Sequence, residues 1–261
     1  MSIPTALPTS VKVLGVIPAR LASTRLPRKV LRKIAGEPLL DWVYRAAKAC
    51  PKLDEVVVAA DSAEVMELCD DRGWPAVLTS PDLPSGTDRL YAVSRQISAQ
   101  IYVNIQGDEP LLEAAHIEAL LEPFTQPHVD VTTLKVRCRA EDVENPNAVK
   151  VVTAYDGRAL YFSRAAIPFD RDKGSEAVYW KHLGLYAYRR TALQRFASLL
   201  PAPLEVTERL EQLRLLENNI SLYVSETEHD TIGVDTEEDL LRVEAILRLR
   251  KPLTRTWKRP R

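Results

Sequence analysis

Four runs in the first half of the chain are apolar almost throughout and rich in β-branched residues, with the sequences VKVLGVI, DEVVVAAD, PAVLTS and IYVNIQGDEP. Each run predicts a strand, and the segments between them carry apolar residues at helical spacing. Strands without a polar face are typical of a parallel sheet that helices cover on both sides. The pattern therefore predicts a doubly wound α/β fold of the nucleotide-binding type over residues 11–125.

Several residues mark the expected ends of these elements. Pro18 is expected to end the first strand, because proline has no N–H to donate to a sheet ladder. Ser62 and Gly73 fit the N-cap and the end of the second helix, and Ser85 precedes the third helix.

The second half has a different pattern. Beyond Asp130, apolar and polar residues alternate more regularly and aromatic residues are frequent, which is typical of antiparallel or edge strands. Helices are expected towards the end of the chain, with Thr207 and Thr236 as N-caps. Because no flexible linker is evident, residues 1–261 are predicted to form a single α/β domain, which residues 126–250 complete.

Charge and composition exclude several classes of protein. With 35 basic and 36 acidic residues the net charge is −1, so the chain lacks the basic excess of a general nucleic-acid or membrane-surface protein. No apolar stretch approaches the roughly 20 residues of a membrane span, and no signal peptide is evident. The three widely spaced cysteines fit neither a disulfide framework nor a zinc site. A cytoplasmic protein is expected.

Positive charge is concentrated in the loop after the first strand. This loop contains Arg20, Ser23, Thr24, Arg25, Arg28 and Lys29. Cations and hydroxyls at the end of a buried strand suit an anionic ligand such as a polyphosphate, and ligands of open α/β sheets bind at the carboxyl ends of strands. A solvated basic loop would have the same composition, so this stretch alone leaves both interpretations open.

Two carboxylates are candidates for a metal site. Asp108 follows the fourth strand in the sequence QGDEP, and Asp235 lies in GVDTEED before the last helix. Mg²⁺ prefers one or two carboxylates together with phosphate oxygens and water, so acidic residues facing the basic loop suit that ion. The alternatives are that Asp108 only begins a turn before Pro110 and that Asp235 only belongs to the start of its helix.

Other polar segments give weaker indications. The segment 85–87 (Ser-Gly-Thr) opens a helix whose N-terminal amides would suit a phosphate or a base, although it is also an ordinary capping sequence. Arg164, Lys181 and His182 would suit an acidic second substrate, yet such residues are more often found at a surface or interface. The chain has no P-loop sequence and no G-x-S-x-G elbow, which excludes P-loop kinases and serine esterases.

Nine stretches occur in a distinctive order: IPARLASTRLPRK, VAAD, SGTDRL, VNIQGDEP, NPNAVKVV, ALYFSRAAIPFDRD, HLGLYAYR, PLEVTERLEQLRLLE and GVDTEEDL. Together they resemble the 3-deoxy-manno-octulosonate (Kdo) cytidylyltransferases, or CMP-Kdo synthetases, from about Val11 to Leu247. QGDEP and the first loop occur loosely in other sugar-nucleotide synthetases, whereas YFSR, HLG and LEQLR are more specific to the Kdo branch. The resemblance implies a Rossmann-like nucleotide-diphosphosugar transferase fold, with a mostly parallel central sheet and a smaller mixed sheet for dimerisation.

The resemblance also implies a function: CTP and Kdo give CMP-Kdo and diphosphate, with Mg²⁺ as cofactor, in a cytoplasmic homodimer that serves lipopolysaccharide synthesis. Residues 11–125 would be the nucleotide-binding half and 126–250 the sugar-binding and dimerisation half. By similarity, the nucleotide would be bound by Ala19, Arg20, Ser23, Arg25, Lys29, Ser85, Gly86, Thr87 and Asp108, and the sugar by Gln106, Arg164, His182, Tyr186, Glu211, Gln212 and Asp235. The implied metal ligands are Asp108 and Asp235, and the implied catalytic residues are Arg20, Lys29, Asp108 and Asp235.

The chain departs from the family pattern at two places. Arg28 stands where the family usually has glycine, which would stiffen the loop or add a cation. Leu83 and Pro84 stand where the family usually has His-Gln, which affects the expected contacts to the base. A cytidylyltransferase for another acidic sugar, such as sialic acid or an amino-modified Kdo, and a non-catalytic nucleotide-binding protein are the alternative functions.

Overall fold

The fold is described from a computed structural model that covers residues 7–23, 25–172 and 177–249. Thr24 and the basic segment after Leu249 lie outside these described residues. The strands are β1 Ser10–Ala19, β2 Lys33–Ile34, β3 Glu37–Pro38, β4 Glu55–Ala60, β5 Ala76–Leu78, β6 Ser98–Asn104, β7 Val131–Arg137, β8 Lys150–Thr153, β9 Ala159–Ser163, β10 Trp180–Arg189 and β11 Leu222–Glu226. The helices are α1 Leu39–Lys48, α2 Ala63–Arg72, α3 Gly86–Ser94, α4 Ala114–Leu121, α5 Ala140–Val143, α6 Arg190–Ala197, α7 Pro203–Glu208, α8 Leu213–Glu217 and α9 Glu237–Leu249, with 3₁₀ turns at Lys29–Leu31 and Glu122–Thr125.

The described strands form one large sheet and one small sheet. The large sheet has the order β11-β7-β10-β6-β1-β4-β5, and the β8–β9 hairpin is attached to it along β10. Neighbouring strands of this sheet are parallel, with two exceptions: β10 is antiparallel to β6, β7 and β8, and β8 is antiparallel to β9. Strands β2 and β3 form a separate antiparallel pair. The predicted α/β fold with a mainly parallel central sheet is therefore confirmed.

Helices cover both faces of the central sheet. Along β1, Ile17 and Ala19 belong to one core cluster and Leu14 and Val16 to another on the opposite face, and all four are fully buried. This explains why β1 is apolar at consecutive positions rather than at alternate ones. Among the described residues, no helix is both long enough and apolar enough to cross a membrane.

The expectation that Pro18 ends the first strand is wrong, because β1 continues to Ala19. In β1 the carbonyl of Val16 accepts a hydrogen bond from Ile105, on the β6 side, whereas that of Ala19 accepts one from Asp61, on the β4 side. Backbone groups alternate in direction along a strand, so the nitrogen of Pro18 faces the β6 side, where pairing has already ended at Val16. The missing N–H therefore costs no ladder hydrogen bond.

Most of the expected helix ends are confirmed. The hydroxyl of Ser62 accepts a hydrogen bond from the N–H of Val65, and Gly73 ends α2 in the left-handed conformation with a φ of 68°. Thr236 caps α9 by accepting from the N–H of Asp239.

The expectation that Thr207 begins a helix is wrong. Thr207 lies inside α7, and its hydroxyl donates back to the carbonyl of Pro203. The chain then turns through Arg209, whose φ is 53°, before α8 begins. This left-handed residue breaks what the apolar spacing alone suggests is one continuous helix.

Candidate active site

An open cavity of about 410 Å³ lies at the carboxyl ends of β1 and β6. Its lining includes eight of the residues implicated by the sequence, namely Arg20, Ser23, Arg25, Lys29, Gly86, Gln106, Asp108 and Asp235. They come from the loop after β1, the start of α3, the loop after β6 and the loop before α9. The structure therefore brings the basic loop and both candidate carboxylates to one place, as expected for the carboxyl edge of a parallel sheet.

Close backbone contacts bring the two carboxylates to the loop. A Cβ atom on Gly107 would lie 2.6 Å from the carbonyl oxygen of Pro18, so only glycine allows the loop after β6 to pass this close to the end of β1. The N–H of Val234 donates to the carbonyl of Asp108 at 2.9 Å, which places the next residue, Asp235, beside it.

Lys29 connects these two carboxylates. Its Nζ lies 2.5 Å from Asp108 Oδ2 and 2.9 Å from Asp235 Oδ1, and Arg25 Nη2 lies 2.8 Å from the other oxygen of Asp235. Burial alone would lower the pKa of Lys29, but the attraction of Asp108 and the hydrogen bonds to both carboxylates outweigh it and raise that pKa. Lys29 is therefore a permanently protonated side chain in the lining of the cavity.

The same pair of carboxylates is suited to a divalent cation. Both oxygens contact the same Nζ, so they lie no more than about 5.4 Å apart, the sum of the two distances above. Among the described residues, no group of three or more His, Cys, Asp or Glu side chains is arranged for a metal. Mg²⁺ does not need one, because it takes one or two carboxylates and completes its shell with phosphate oxygens and water.

The loop before α3 contacts Arg20. Arg20 Nη1 donates to the carbonyl oxygen of Pro84 at 3.0 Å, so one of the three residues that depart from the family pattern holds a cation of the basic loop. Ser85 caps α3 by accepting from the N–H of Asp88 and donates to the Asp88 carboxylate at 2.7 Å. Its hydroxyl is therefore engaged in capping, and Gly86 is the member of this segment that lines the cavity.

Several predicted residues lie outside this cavity. Thr87 is buried and donates to the carboxylate of Glu211, whose pKa is raised mainly by burial. Gln212 is also buried, and Ala19 is fully buried at the end of β1. Ser85 and Glu211 instead line an adjacent open depression of about 650 Å³ on the other side of the α3 N-terminus.

Of the remaining predicted sugar-site residues, His182 and Tyr186 lie on β10, Arg164 directly follows β9, and Gln106 lies in the loop after β6. Gln106 Nε2 donates to the carbonyl of Gly184 at 3.0 Å and so joins the cavity to β10. The ring of His182 lies 4.9 Å from that of Phe162 and 5.5 Å from that of Tyr186, between centroids. Burial raises the pKa of Tyr186 well above its ordinary value. These aromatic residues form a layer next to Gln106 rather than part of the cavity lining.

His182 is held neutral by its surroundings. It is 9% exposed, and burial lowers its pKa to about 3. Its Nε2 lies 2.9 Å from the hydroxyl of Thr133, which itself donates to the carbonyls of Leu183 and Leu185. The imidazole and the Thr133 hydroxyl therefore share one hydrogen bond, and the histidine tautomer decides which of the two donates.

This neutral histidine predicts a pH dependence of stability. The unfolded chain gains a proton at His182 below its ordinary pKa near 6.5, whereas the folded protein does so only near pH 3, so folding is disfavoured as the pH falls. The contribution is about 1.4 kcal/mol per pH unit across that interval. His182→Gln keeps an N–H donor but does not titrate, so its free energy of unfolding should fall less steeply between pH 6.5 and 4.5. Urea unfolding would measure the two slopes, and equal slopes for His182→Gln and wild type would contradict this assignment.

Arg89 is a functional candidate that the sequence analysis missed. It is fully buried in α3, and its Nη1 donates to the hydroxyl of Thr79 and, at 3.1 Å, to the carbonyl of Ser80. Burial lowers the pKa of this guanidinium. These hydrogen bonds fix the segment that leads to Pro84. The sequence contained one indication that Arg89 is buried: it lies four residues before Val93 and so on the same face of the helix.

Arg28 adopts an unusual backbone conformation. Its φ is 56°, in the left-handed region, at the residue before the 3₁₀ turn that carries Lys29. This explains why glycine, which the family usually has here, suits the position. Its guanidinium forms an ion pair with Glu64 in the first turn of α2, so the extra cation contacts α2 rather than the cavity.

Substitution of Arg28 should separate the backbone effect from the ion pair. Arg28→Ala loses the pair and keeps the left-handed φ, whereas Arg28→Gly loses the pair but removes a cost of about 1 kcal/mol. We expect Arg28→Gly to be more stable than Arg28→Ala in urea unfolding, and Glu64→Gln to report the ion pair alone. The reverse order of the two Arg28 variants would contradict the conformation described here.

Comparison with known proteins shows the family of this chain. The family model described as cytidylyltransferase matches residues 14–227. A 3-deoxy-manno-octulosonate cytidylyltransferase of Acidobacterium capsulatum is 63% identical over 93% of this chain and 99% of its own length, and that of Koribacter versatilis is 57% identical over 92% of each chain. The chain belongs to the 3-deoxy-manno-octulosonate cytidylyltransferase family. The resemblance inferred from the sequence is thereby confirmed.

A solved structure of this family supports the same fold. A CMP:2-keto-3-deoxy-manno-octonic acid synthetase complexed with CTP is 40% identical to this chain, with a TM-score of 0.87 over 91% of this chain and 99% of the other. A cytidylyltransferase from Leptospira borgpetersenii is only 16% identical, with a TM-score of 0.59, and shares the fold alone. This chain, like its family, is thus a nucleotidyltransferase.

Proposed function

We propose that this protein transfers the cytidylyl group of CTP to Kdo, producing CMP-Kdo and diphosphate for lipopolysaccharide synthesis. The observation that carries the proposal is the position of Lys29 between Asp108 and Asp235, in a cavity edged by the basic loop. The family relatives that bear the name of this activity support it. The nearest alternatives are another acidic sugar as acceptor and a non-catalytic nucleotide-binding protein.

The nucleotide half, residues 11–125, supplies the groups that would bind CTP. Arg20, Ser23, Arg25 and Lys29 would surround the triphosphate, while Ala19 and the 85–87 segment would hold the cytidine. The N–H of Leu26 donates to the hydroxyl of Ser23 at 3.4 Å, and that of Arg28 to the carbonyl of Leu21 at 3.3 Å, so the loop has a defined curve before any ligand binds. Arg20, which is held by the carbonyl of Pro84, is a positive group fixed in advance, and such a group stabilises a triphosphate without reorganising during the reaction.

The second half, residues 126–250, would bind the sugar and form the dimer. The candidates for the sugar are Gln106, Arg164, His182, Tyr186, Glu211, Gln212 and Asp235. Large apolar side chains on and beside the β8–β9 hairpin, among them Tyr155, Leu160 and Phe169, are exposed in the isolated chain. Exposed apolar side chains of this size suit a homodimer contact. All three cysteines are free, which fits a cytoplasmic location.

Asp108 and Asp235 would hold Mg²⁺. When bound, the ion would neutralise phosphate charge and favour ionisation of the attacking hydroxyl. For the metal to occupy the space between the carboxylates, Lys29 must move towards the phosphates, and the flexible lysine stem allows this. The ammonium group of Lys29 and the metal ion would then both have carboxylate and phosphate oxygens as partners, so these two cations would not compete for the same oxygens.

The reaction is a displacement at the α-phosphorus of CTP. The anomeric hydroxyl oxygen of Kdo forms the new P–O bond and loses its proton to solvent. The bond from the α-phosphorus to the bridging oxygen breaks, and diphosphate leaves with the electron pair. Both substrates are anionic and repel each other, so Arg20, Arg25 and Lys29 act mainly by neutralising charge and by orienting the two reactants. We propose that the metal, together with Asp235, also lowers the pKa of the attacking hydroxyl.

A panel of acceptors tests the proposed substrate. Initial rates with CTP and Kdo, sialic acid or an amino-modified Kdo should be highest with Kdo by at least about tenfold, because missing or misplaced hydroxyls leave buried polar groups unpaired. A higher rate with another acidic sugar would retain the chemistry and change the substrate. CTP binding with no turnover of any acceptor would favour the non-catalytic alternative.

A further inference from the structure

Lys150, at the start of β8, is a fully buried lysine that the proposed mechanism does not use. Its Nζ donates to the carbonyl oxygens of Asn145 at 2.8 Å, Ala148 at 2.6 Å and Arg164 at 2.8 Å. An ammonium group has three N–H donors, so all of them are used. Lys150 therefore cannot contact a substrate and acts only through the backbone segments that it joins.

The three partners of Lys150 are neutral. Burial lowers the pKa of its ammonium group, and a buried charge is costly unless its hydrogen bonds are well made. Methionine would fill similar space without this cost, so packing alone gives no reason for a lysine here. The reason for a lysine is instead that its three hydrogen bonds join the segment 145–148 to the main chain of Arg164.

The side chain of Arg164 is held by the same segments. Its Nε donates to the carbonyl of Glu208 at 2.8 Å, its Nη1 to that of Pro146 at 2.9 Å and its Nη2 to that of Arg209 at 3.3 Å. A guanidinium has five N–H donors, so one N–H on each terminal nitrogen remains available. Two such donors in a fixed plane suit a carboxylate, which guanidinium binds through two parallel hydrogen bonds.

We propose that Lys150 is a positioning residue for the acidic sugar. It fixes the main chain of Arg164 and the segment 145–148, whose Pro146 carbonyl accepts a hydrogen bond from Arg164 Nη1. The two remaining N–H groups of the Arg164 guanidinium thereby face the substrate carboxylate. This inference rests on the proposed function. Lys150 thereby determines the orientation of a side chain that the family resemblance assigns to the sugar, without touching the sugar itself.

Lys150→Met tests this role because it removes the three hydrogen bonds and keeps an unbranched side chain that is only one heavy atom shorter. We expect the KM for Kdo to rise by about tenfold or more and the KM for CTP to change by less than about twofold. The matched control is Lys135→Met, since Lys135 is a half-buried lysine of β7 whose Nζ donates to the hydroxyl of Thr153 at 3.2 Å. This control should leave the ratio of the two KM values unchanged.

A double-mutant cycle separates positioning from a general structural effect. If Lys150 acts through Arg164, Lys150→Met should add less than about twofold to the KM for Kdo in an Arg164→Ala background. Full additivity, or an equal rise in both KM values for the single variant, would overturn the proposal. If Lys150→Met does not fold, Lys150→Gln, which keeps two N–H donors, takes its place in the same cycle.

Binding makes the test independent of turnover. The Kd of Kdo, measured by calorimetry with a non-reactive CTP analogue present, should weaken by the same factor as KM in Lys150→Met. If the wild-type enzyme is active and the Kd of Kdo is unchanged in Lys150→Met, the role of Lys150 is refuted and the proposed function is not. Absence of wild-type turnover with every acceptor would refute the proposed function, while a weaker Kd in the variant would still support the positioning role.

Discussion

Replacing Lys29 with methionine is expected to lower kcat/KM for CTP by about 10³-fold. The ammonium group lies at contact distance from both carboxylates, at the centre of the cavity where the triphosphate would bind, and few other groups could replace its charge. Steady-state kinetics at saturating Mg²⁺ would measure the loss. Lys33→Met, four residues further along and exposed, is the matched control and should keep wild-type kinetics. A loss smaller than about tenfold would contradict a catalytic role for Lys29.

The same variant also has an expected gain. Without nucleotide, Nζ occupies the space between Asp108 and Asp235 that a metal ion would use. Removing a unit charge at this distance should tighten Mg²⁺ binding to the free protein by about tenfold or more, because a contact between charges is worth several kcal/mol near a protein surface. Calorimetric titration of the nucleotide-free proteins would measure it. Unchanged or weaker binding would show that the two cations do not share this position.

Asp235→Asn is expected to lower kcat by about 100-fold or more, even at saturating Mg²⁺. Asp235 pairs with Lys29 through one oxygen and with Arg25 through the other, so the substitution removes charge from the proposed metal ligand and loosens two cations of the loop. Turnover should be measured over a wide range of Mg²⁺ concentrations, since weaker metal binding alone would be overcome by excess ion.

The control for this substitution is Glu238→Gln. Glu238 is exposed in the first turn of α9, three residues from Asp235, and should tolerate loss of its charge. If Asp235→Asn retained near-normal turnover at saturating Mg²⁺, Asp235 would have no part in lowering the pKa of the attacking hydroxyl. The metal position between Asp108 and Asp235 would then need revision as well.

The sequence was most informative where a local pattern determines the structure. Continuous apolar runs predicted the parallel strands, because a strand buried on both faces has no polar side. The cavity followed from the rule that ligands bind at the carboxyl ends of such strands. Lys29, Asp108 and Asp235 could therefore be predicted to lie together, although they are up to 206 residues apart in the chain.

Features that depend on neighbouring strands could not be read from the sequence. Pro18 remains within β1 because the pairing of β1 with β6 ends at Val16, before the proline. The pairing of the two strands therefore decides the outcome, and it is not visible in the sequence around Pro18. The left-handed turn at Arg209 breaks a helix whose apolar spacing is continuous. The buried cations Arg89 and Lys150 were missed for the same reason, since their partners are loop carbonyls that no residue type reveals.

The positions of the sugar-site candidates also depend on tertiary structure. His182 and Tyr186 lie in an aromatic layer, and Arg164 is held by carbonyls of two separate segments. The family resemblance supplied these residues, whereas their composition and spacing alone did not distinguish them from surface positions. Their roles in binding Kdo remain predictions that the substrate panel and the Lys150–Arg164 cycle address.

The most direct test of the central claim is ³¹P NMR of the purified protein with CTP, with and without Kdo and Mg²⁺. We predict equal amounts of diphosphate and a CMP phosphodiester, formed only when both Kdo and Mg²⁺ are present and lost in Lys29→Met. Formation of diphosphate without Kdo, or of the phosphodiester only with a different acidic sugar, would contradict the claim that this cavity joins CTP to Kdo.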